Sequence, residues 1–419
     1  MGAPQATTTA TPLAGVRVLD LSRILAGPWA TQNLADLGAE VIKIENPDGG
    51  DDTRKMGPPF IRNAITGDNT DAAYFLSANR GKQSVAIDIA TPQGQKLVRA
   101  LAAQCDVLVE NYKVGGLAKY GLDYESLHAE LPQLIYCSIT GFGQTGPYRQ
   151  RAGYDYLIQG MGGLMSVTGE PDGTPGGGPQ RAGVALADIL SGMYASVAIL
   201  AALRHRDTGG KGQQIDIGML DVQVATLANQ AMNYLTTDQA PSRLGKGHMN
   251  IVPYGAFPAS DGHLILAVGN DAQFRKMAQA MGRPDIADDP RFATIPLRVA
   301  HRDLLVPLLE TITATRTIDA WVSAMEAVGV PCGPINTIDR VFADPQVQAR
   351  GMRLALPHQT SGSVPSVANP IHFSSTPIRY GEGPPALGQH TRAVLQRVLG
   401  ADDDMLRQWA AQGTIKEAP

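Results

Sequence analysis

Asp188 is the residue of this chain best placed to do covalent chemistry. It stands in Arg181-Ala-Gly-Val-Ala-Leu-Ala-Asp-Ile-Leu-Ser-Gly-Met193, directly before an apolar run with helical spacing through Val197, Leu200 and Leu203. Thr208-Gly209-Gly210 ends that run, so start and stop signals bracket a helix. A carboxylate at a helix N-terminus meets unpaired N–H groups and the favourable end of the dipole, which hold it ionised. Two readings follow: a nucleophile, or an ordinary N-cap aspartate. The glycine-dense stretch from Gly160 to Gly178 tips the balance to the first, since it suits a close-approaching backbone or a mobile loop.

Cations form the second chemical signal. Asn79-Arg80-Gly81-Lys82 puts two of them on a turn that leads into a β-rich run, with plain surface charge as the alternative. Asn111-Tyr112-Lys113 follows a strand directly, and Lys119 and Tyr120 come one short helical stretch later. Thr140-Gly-Phe-Gly-Gln-Thr-Gly-Pro147 follows another strand. Polar loops repeated at strand ends build one ligand-binding rim. The sequence has no phosphate-cradling Gly-x-x-x-x-Gly-Lys-Ser/Thr, no His-Glu-x-x-His and no Gly-x-Ser-x-Gly elbow. No Gly-x-Gly-x-x-Gly opens the first helix, so no nicotinamide or flavin cofactor is expected. Cys105, Cys137 and Cys332 lack metal spacing and read as small buried hydrophobes, and no metal is expected. One helix-end aspartate, strand-end cations and glycine segments suit a phosphorylated, adenine-bearing substrate.

The elements that must position these residues alternate. Val16–Ser22 and Glu40–Glu45 read as strands around a helix that starts at Pro28 and ends near Gly38. Such a strand–helix–strand unit argues for a parallel sheet with right-handed crossovers and ligands beyond the strand carboxyl ends. Residues 48–70 read as an irregular excursion, Pro92 to Ala103 as a helix, and 82–88, 106–110, 134–139 and 214–218 as further strands. One long helix is predicted through Leu220, Val224, Leu227 and Met232. Asp261-Gly262 sits between two short strands as a hairpin signal, with helices after it and a break at Val330–Ile335. The tail reads as strands, Pro-rich turns and a final helix near Thr391 to Val398. The fold class is therefore α/β, a Rossmann-like parallel sheet in a large domain beside a smaller α+β domain. The expected boundaries are a tail over 1–14, the large domain over 15–235, the small domain over 236–335, and a return segment over 336–419 completing the large domain.

At 419 residues two domains are the natural expectation. Hydrophobic content of 43% and charged content of 18% belong to the globular class. A net charge of −4 over the whole length argues against nucleic acid as a partner. The first dozen residues have no apolar core of a leader peptide, and no uninterrupted apolar run of about 18 residues occurs. A cytoplasmic protein with no membrane partner is the expectation.

These residues also resemble a known family. Val18-Leu-Asp-Leu-Ser with Ala26-Gly27-Pro28, Gly38-Ala-Glu-Val-Ile-Lys-Ile-Glu45, Asn79-Arg-Gly-Lys82, Glu110-Asn111-Tyr112, Ala187-Asp188-Ile189, Gly329-Val-Pro-Cys-Gly-Pro334 and Leu387-Gly-Gln-His-Thr391 look like the class III (CaiB/BaiF) CoA-transferases. The similarity runs from about Pro12 over nearly the whole chain. It implies that Asp188 moves CoA from an acyl-CoA donor to a free carboxylic acid, through a mixed anhydride and then an aspartyl-CoA thioester. An aspartate of ordinary pKa is ionised at neutral pH and needs no base.

The resemblance also implies that CoA lies along Leu25, Ala26, Asn46, Asn79, Arg80, Gly81, Lys82, Asn111, Tyr112, Lys113, Lys119, Thr140, Gly141, Phe142 and Gly143. Arg80, Lys82 and Lys119 would meet its phosphates. Asn46 stands where some relatives carry an arginine near the nucleotide. Tyr154 and the Gly245, Lys246, Gly247 and His248 loop are assigned to substrate and closure, and Gly141 to Gly143 or Gly245 to His248 to the oxyanion. The segment Arg243–Tyr254 with Gly269-Asn270-Asp271 looks most like members that use succinyl-CoA and dicarboxylic acids. The family forms dimers of interlocked chains, so an interlocked homodimer is implied here.

Two other readings stand beside it. The α-methylacyl-CoA racemases share the fold and use a His/Asp pair, but Gly153-Tyr154-Asp155 occupies their Gly-His-Asp position, and a tyrosine of pKa about 10 is a poor base. Asp155 then reads as an Asx turn or cap. A non-catalytic CoA-binding protein is the third reading, against which the intact Asp188 and glycine loops argue.

Overall fold

The computed structural model describes residues 11–418, so the first ten residues of the expected N-terminal tail lie outside the described residues. The chain divides into two compact units. The first runs to Gly163, resumes over Gly183–Ala228 and returns from Gln348; the second is Leu164–Ala182 with Asn229–Val347. These lines fall at 228 and 347 where 235 and 335 were expected, and 164–182 also joins the second unit.

The first unit is built on a sheet of β1 (Arg17–Asp20), β2 (Glu40–Glu45), β3 (Lys82–Ile87), β4 (Val107–Glu110), β5 (Ile135–Thr140) and β6 (Gln214–Gly218). Their spatial order is β3-β2-β1-β4-β5-β6, parallel throughout, and Ile415–Lys416 adds an antiparallel edge beside β3. Strand order reverses between β1 and β4, and the crevice beyond their carboxyl ends is where α/β sheets bind ligands.

Covered faces explain the strand sequences. Val18, Val41, Val107 and Val109 enter one buried cluster with α1 (Ala26–Asp36), while Leu19, Ile42 and Leu108 enter another with α2 (Pro92–Ala102). Period-2 alternation between two apolar faces makes near-continuous hydrophobic runs, the mark of a parallel sheet. The helix starting at Leu186 runs to Asp207 and is labelled α4, after α3 (Asp155–Met161). A side-chain carbon on its Gly192 would come within 2.6 Å of the Ala26 oxygen, so glycine lets α4 close on α1. By length and composition α4 is also long and apolar enough to cross a membrane, yet Ala187, Ser191, Ala195 and Ile199 are buried in the first unit.

Three expectations change. The helix predicted through Met232 is two, α5 (Met219–Ala225) and Asn229–Thr237, because Ala228 takes a φ of +47° that no helix continues. The break at Val330–Ile335 contains a strand, Cys332–Pro334, paired antiparallel with Gly262–Ala267, itself hairpinned to Tyr254–Ala259 as expected. After Thr391–Leu399 comes a further helix, Asp403–Ala411, capped by the Asp402 side chain. The second unit closes on its own core of Phe257, Leu264, Phe274, Leu305 and Trp321.

Candidate active site

Asp188 lies in the first turn of α4, but it is not the cap. Ala185 holds that position and offers no side-chain bond. The orphan N–H of Ala187 instead donates to Asp155 Oδ1 at 2.9 Å, and Gln159 Nε2 donates to the other Asp155 oxygen at 2.8 Å. Asp155 thus caps a helix as expected, although the helix is α4 and not its own. Among the described residues no hydrogen bond or ion pair ends on the Asp188 carboxylate.

The charge state expected for Asp188 needs correction. Burial, and after it the Asp155 charge, raise its pKa to about 7, so it is not fully ionised at neutral pH. A helix dipole contributes about 0.3–1 kcal/mol, less than about one pKa unit, and cannot offset that desolvation.

Asp188 lines a cavity of about 650 Å³. Its walls come from the loops after β1 (Arg23, Ile24, Ala26), β4 (Asn111 to Gly116, Lys119, Tyr120) and β5 (Thr140, Gly141), with Arg149, Arg151 and Tyr154. Arg23, Lys113, Lys119, Arg149 and Arg151 face only two carboxylates, Asp52 and Asp188, across it. Aromatic faces steady several of these cations. The Arg23 guanidinium lies 5.4 Å from the Tyr112 ring centre and the Lys119 ammonium 4.6 Å from that of Tyr120, while Arg151 sits between Phe142 and Tyr148. Two backbone strokes meet at Gly141 and Gly153, where an added side-chain carbon on Gly141 would stand 2.6 Å from the Gly153 Cα. Both positions need glycine, and their contact carries Tyr154 to the cavity.

Of the residues anticipated from sequence, Ala26, Asn111, Tyr112, Lys113, Lys119, Thr140, Gly141, Tyr154 and Asp188 converge here. Others do not. Lys82 is fully buried, with its Nζ 3.0 Å from Asp20 and 2.9 Å from Asn79 Oδ1. Burial pulls the Lys82 pKa down to about 8; burial would raise Asp20, but Lys82 and Lys43 hold it at about 2. Arg80 pairs with Asp36 at 2.5 Å, beneath the surface. The turn Asn79 to Lys82, Gly81 included, is held as an internal brace, because carboxylates 62 and 44 residues away pair with its cations.

Leu25 is buried beside the cavity, and Asn46 lines a smaller one of about 210 Å³ that shares Arg23, Tyr112 and Tyr120. Phe142 and Gly143 stand behind the wall, with the Gly143 N–H spent on Thr140 Oγ1 at 3.0 Å. The loop of Gly245, Lys246, Gly247 and His248 belongs to the second unit, where Lys246, Gly247 and His248 line a cavity of about 340 Å³ and Lys246 pairs with Glu310 at 2.7 Å. Arg23, Arg149 and Arg151 were missed in the sequence. Arg23 opens the loop after β1, and the other two form a basic pair just beyond Gly146-Pro147, which was the available signal.

Residues 13–391 match the family described as CoA-transferase family III. The chain belongs to CoA-transferase family III. It is 55% identical over 384 residues to a succinate–glutarate CoA-transferase of Agrobacterium fabrum, covering 92% of this chain and 95% of the relative. It is 44% identical to the succinyl-CoA:glutarate CoA-transferase of Mus musculus, over 97% of this chain and 91% of that one. The crystal structure of a CaiB/BaiF family protein from Brucella suis superposes with a TM-score of 0.81 at 51% identity, covering 93% of this chain and all of that one. As a family III CoA-transferase the protein is an enzyme whose substrates are CoA thioesters, and its large parallel sheet is that of its structural neighbours.

Proposed function

We propose that this enzyme moves CoA from succinyl-CoA to a dicarboxylic acid of about the size of glutarate, using Asp188 as a covalent relay. The observation that carries the reading is an unpaired carboxylate in the wall of a cavity that also presents Arg23, Lys113, Lys119, Arg149 and Arg151. A polyanionic thioester fits that charge pattern, and about 650 Å³ is within the range of small-molecule sites. The substrates are taken from the names of the Agrobacterium fabrum and Mus musculus relatives.

In the proposed sequence an Asp188 oxygen attacks the thioester carbonyl and the C–S bond breaks, the thiolate leaving with its electron pair. The thiolate then attacks the aspartyl carbonyl of the mixed anhydride and expels the donor carboxylate, leaving an aspartyl-CoA thioester. The acceptor carboxylate attacks that carbonyl and expels thiolate; the thiolate attacks the acceptor's acyl carbon and frees Asp188. One thioester replaces another, so no nucleotide hydrolysis is required. A carboxylate of raised pKa is the better nucleophile once ionised. Each intermediate is an activated acyl group that must be kept from water. Closure by Tyr154 belongs to this reading, as does oxyanion stabilisation near Gly141.

An interlocked homodimer is part of the same proposal. Tyr156, Leu157, Met161, Met193, Tyr194 and Val197 are exposed on α3 and α4, an apolar face of the kind a second copy would cover. We read the enzyme as cytoplasmic, and α4 as a sheet-covering helix closed against α1 at Gly192. The test is thioester exchange from succinyl-CoA against a panel of mono- and dicarboxylates, with the protein mass followed for an Asp188-linked acyl or CoA adduct. Absence of both exchange and adduct ends the proposal.

A further inference from the structure

Glu110 closes β4, is only 6% exposed and does not line the 650 Å³ cavity. Its Oε2 accepts the Tyr112 N–H at 2.7 Å, and the Ser138 hydroxyl on β5 bonds to it as well. The stretch just beyond it has an unusual place. Lys113, Val114, Gly115 and Gly116 line that cavity on one side and, on the other, a second cavity of about 250 Å³ lined by Glu110, Tyr136 and Ser138. They form a partition with open volume behind it.

Little regular structure supports this partition. Residues 111–113 belong to no helix or strand, and 114–117 form a turn with Gly115 at a φ of +75°. Besides the packing of Tyr112 and Leu117 on the first unit's core, two hydrogen-bonded ties fix its position. At the front, Asn111 clasps Arg23, taking the Arg23 N–H at 2.9 Å and giving its own amide to the Arg23 oxygen at 2.6 Å. At the back, Glu110 holds Tyr112. Burial raises the Glu110 pKa to about 7, with Ser138 and Tyr112 opposing and Asp216 adding to the rise, so the fold retains a costly buried acid at this spot. An apolar residue there would leave the Tyr112 N–H without a partner and the partition free to fall back.

We infer that Glu110 is a positioning residue, which tethers the Asn111 to Gly116 partition from behind and so sets how tightly the cavity grips CoA. The inference rests on the reading of that cavity as the CoA site. Glu110 touches no reacting atom, so its removal should act on binding and spare the covalent steps.

The experiment measures the Kd of free CoA by calorimetry, and KM and kcat for succinyl-CoA, in the full-length enzyme and its Glu110 variants. Glu110→Ala is expected to weaken CoA binding and raise KM by about tenfold or more, the scale of a buried N–H left without its acceptor, with kcat kept within about threefold. Glu110→Gln, whose amide oxygen still accepts from Tyr112, should recover binding to within about threefold. Amide hydrogen exchange at Tyr112 should quicken in Glu110→Ala and slow again in Glu110→Gln. Glu110→Asp, one methylene short of the N–H, covers the case of an unfolded alanine variant and should bind as weakly. Wild-type affinity in a folded Glu110→Ala or Glu110→Asp, or no rescue by glutamine, overturns the inference. Failure of the unaltered enzyme to bind free CoA would overturn the cavity assignment beneath it.

Discussion

Asp155 accepts the Ala187 N–H at 2.9 Å, one residue short of Asp188, so one carboxylate caps the helix that presents the other. The same side chain supplies structure and charge. Its negative field, added to burial, keeps Asp188 protonated to about pH 7.

The pH dependence of turnover should report that pairing. With the ionised Asp188 as nucleophile, kcat/KM is expected to rise through a midpoint near 7 and level off above it. Asp155→Asn keeps an oxygen for the Ala187 N–H but removes the charge, and should move the midpoint down by up to about one unit. Rate profiles of the two enzymes decide it, and coincident midpoints would remove Asp155 from the account.

Asp188→Asn is expected to lose exchange by about three orders of magnitude or more while holding free CoA within a few-fold of wild type. Intact-protein mass after incubation with succinyl-CoA should show no adduct in the variant. If the variant still turns over, the covalent route falls.

Stability should shift with pH in a defined direction. A carboxyl whose folded pKa is raised contributes stability that is full below its unfolded value, near 4, and is lost as pH rises through about 7. Asp188→Asn escapes that loss, so its melting temperature should gain on wild type between pH 4 and 7. With partial exposure discounted, the gain is on the order of 1–2 kcal/mol. Parallel thermal melts across that range test the sign.

Two lysines that look alike in sequence should behave oppositely. Lys82→Ala leaves Asp20 buried without its partner and should cost about 3–5 kcal/mol of stability. Lys119→Ala is expected to leave the melt nearly unchanged and weaken CoA binding, with a shallower dependence on salt. Urea unfolding and calorimetry at two ionic strengths separate the two, and equal effects would show that the partition of cations is wrong.

Gly141→Ala places a methyl group 2.6 Å from the Gly153 backbone, where neither side can yield as a flexible side chain would. A loss of about 1–3 kcal/mol is expected, with weaker thioester binding. A wild-type melt would deny the close approach.

What the sequence made legible was local. Strands β1 to β6, the Asp261-Gly262 hairpin and the helix behind Asp188 announced themselves by period, punctuation and turn chemistry. So did most of the rim, because loops at strand ends share one face of a parallel sheet. Misreadings came where distant partners decide. Arg80 and Lys82 sit at a strand entrance like rim cations, but Asp36 and Asp20, far off in the chain, draw them inward. Asp188 looked like a helix-stabilised anion until burial and a carboxylate 33 residues upstream outweighed the dipole. Ala228 broke an unbroken apolar period through a backbone angle that composition does not encode. The Asp402 cap, by contrast, is a helix start that the sequence itself carries.

The strand Ile415–Lys416 covers the outer edge of β3, and it is the last of the sheet's strands in chain order. During synthesis the rest of the sheet therefore emerges with that flank bare. A chain cut just upstream of this strand would display unpaired backbone groups along β3, the template on which chains aggregate.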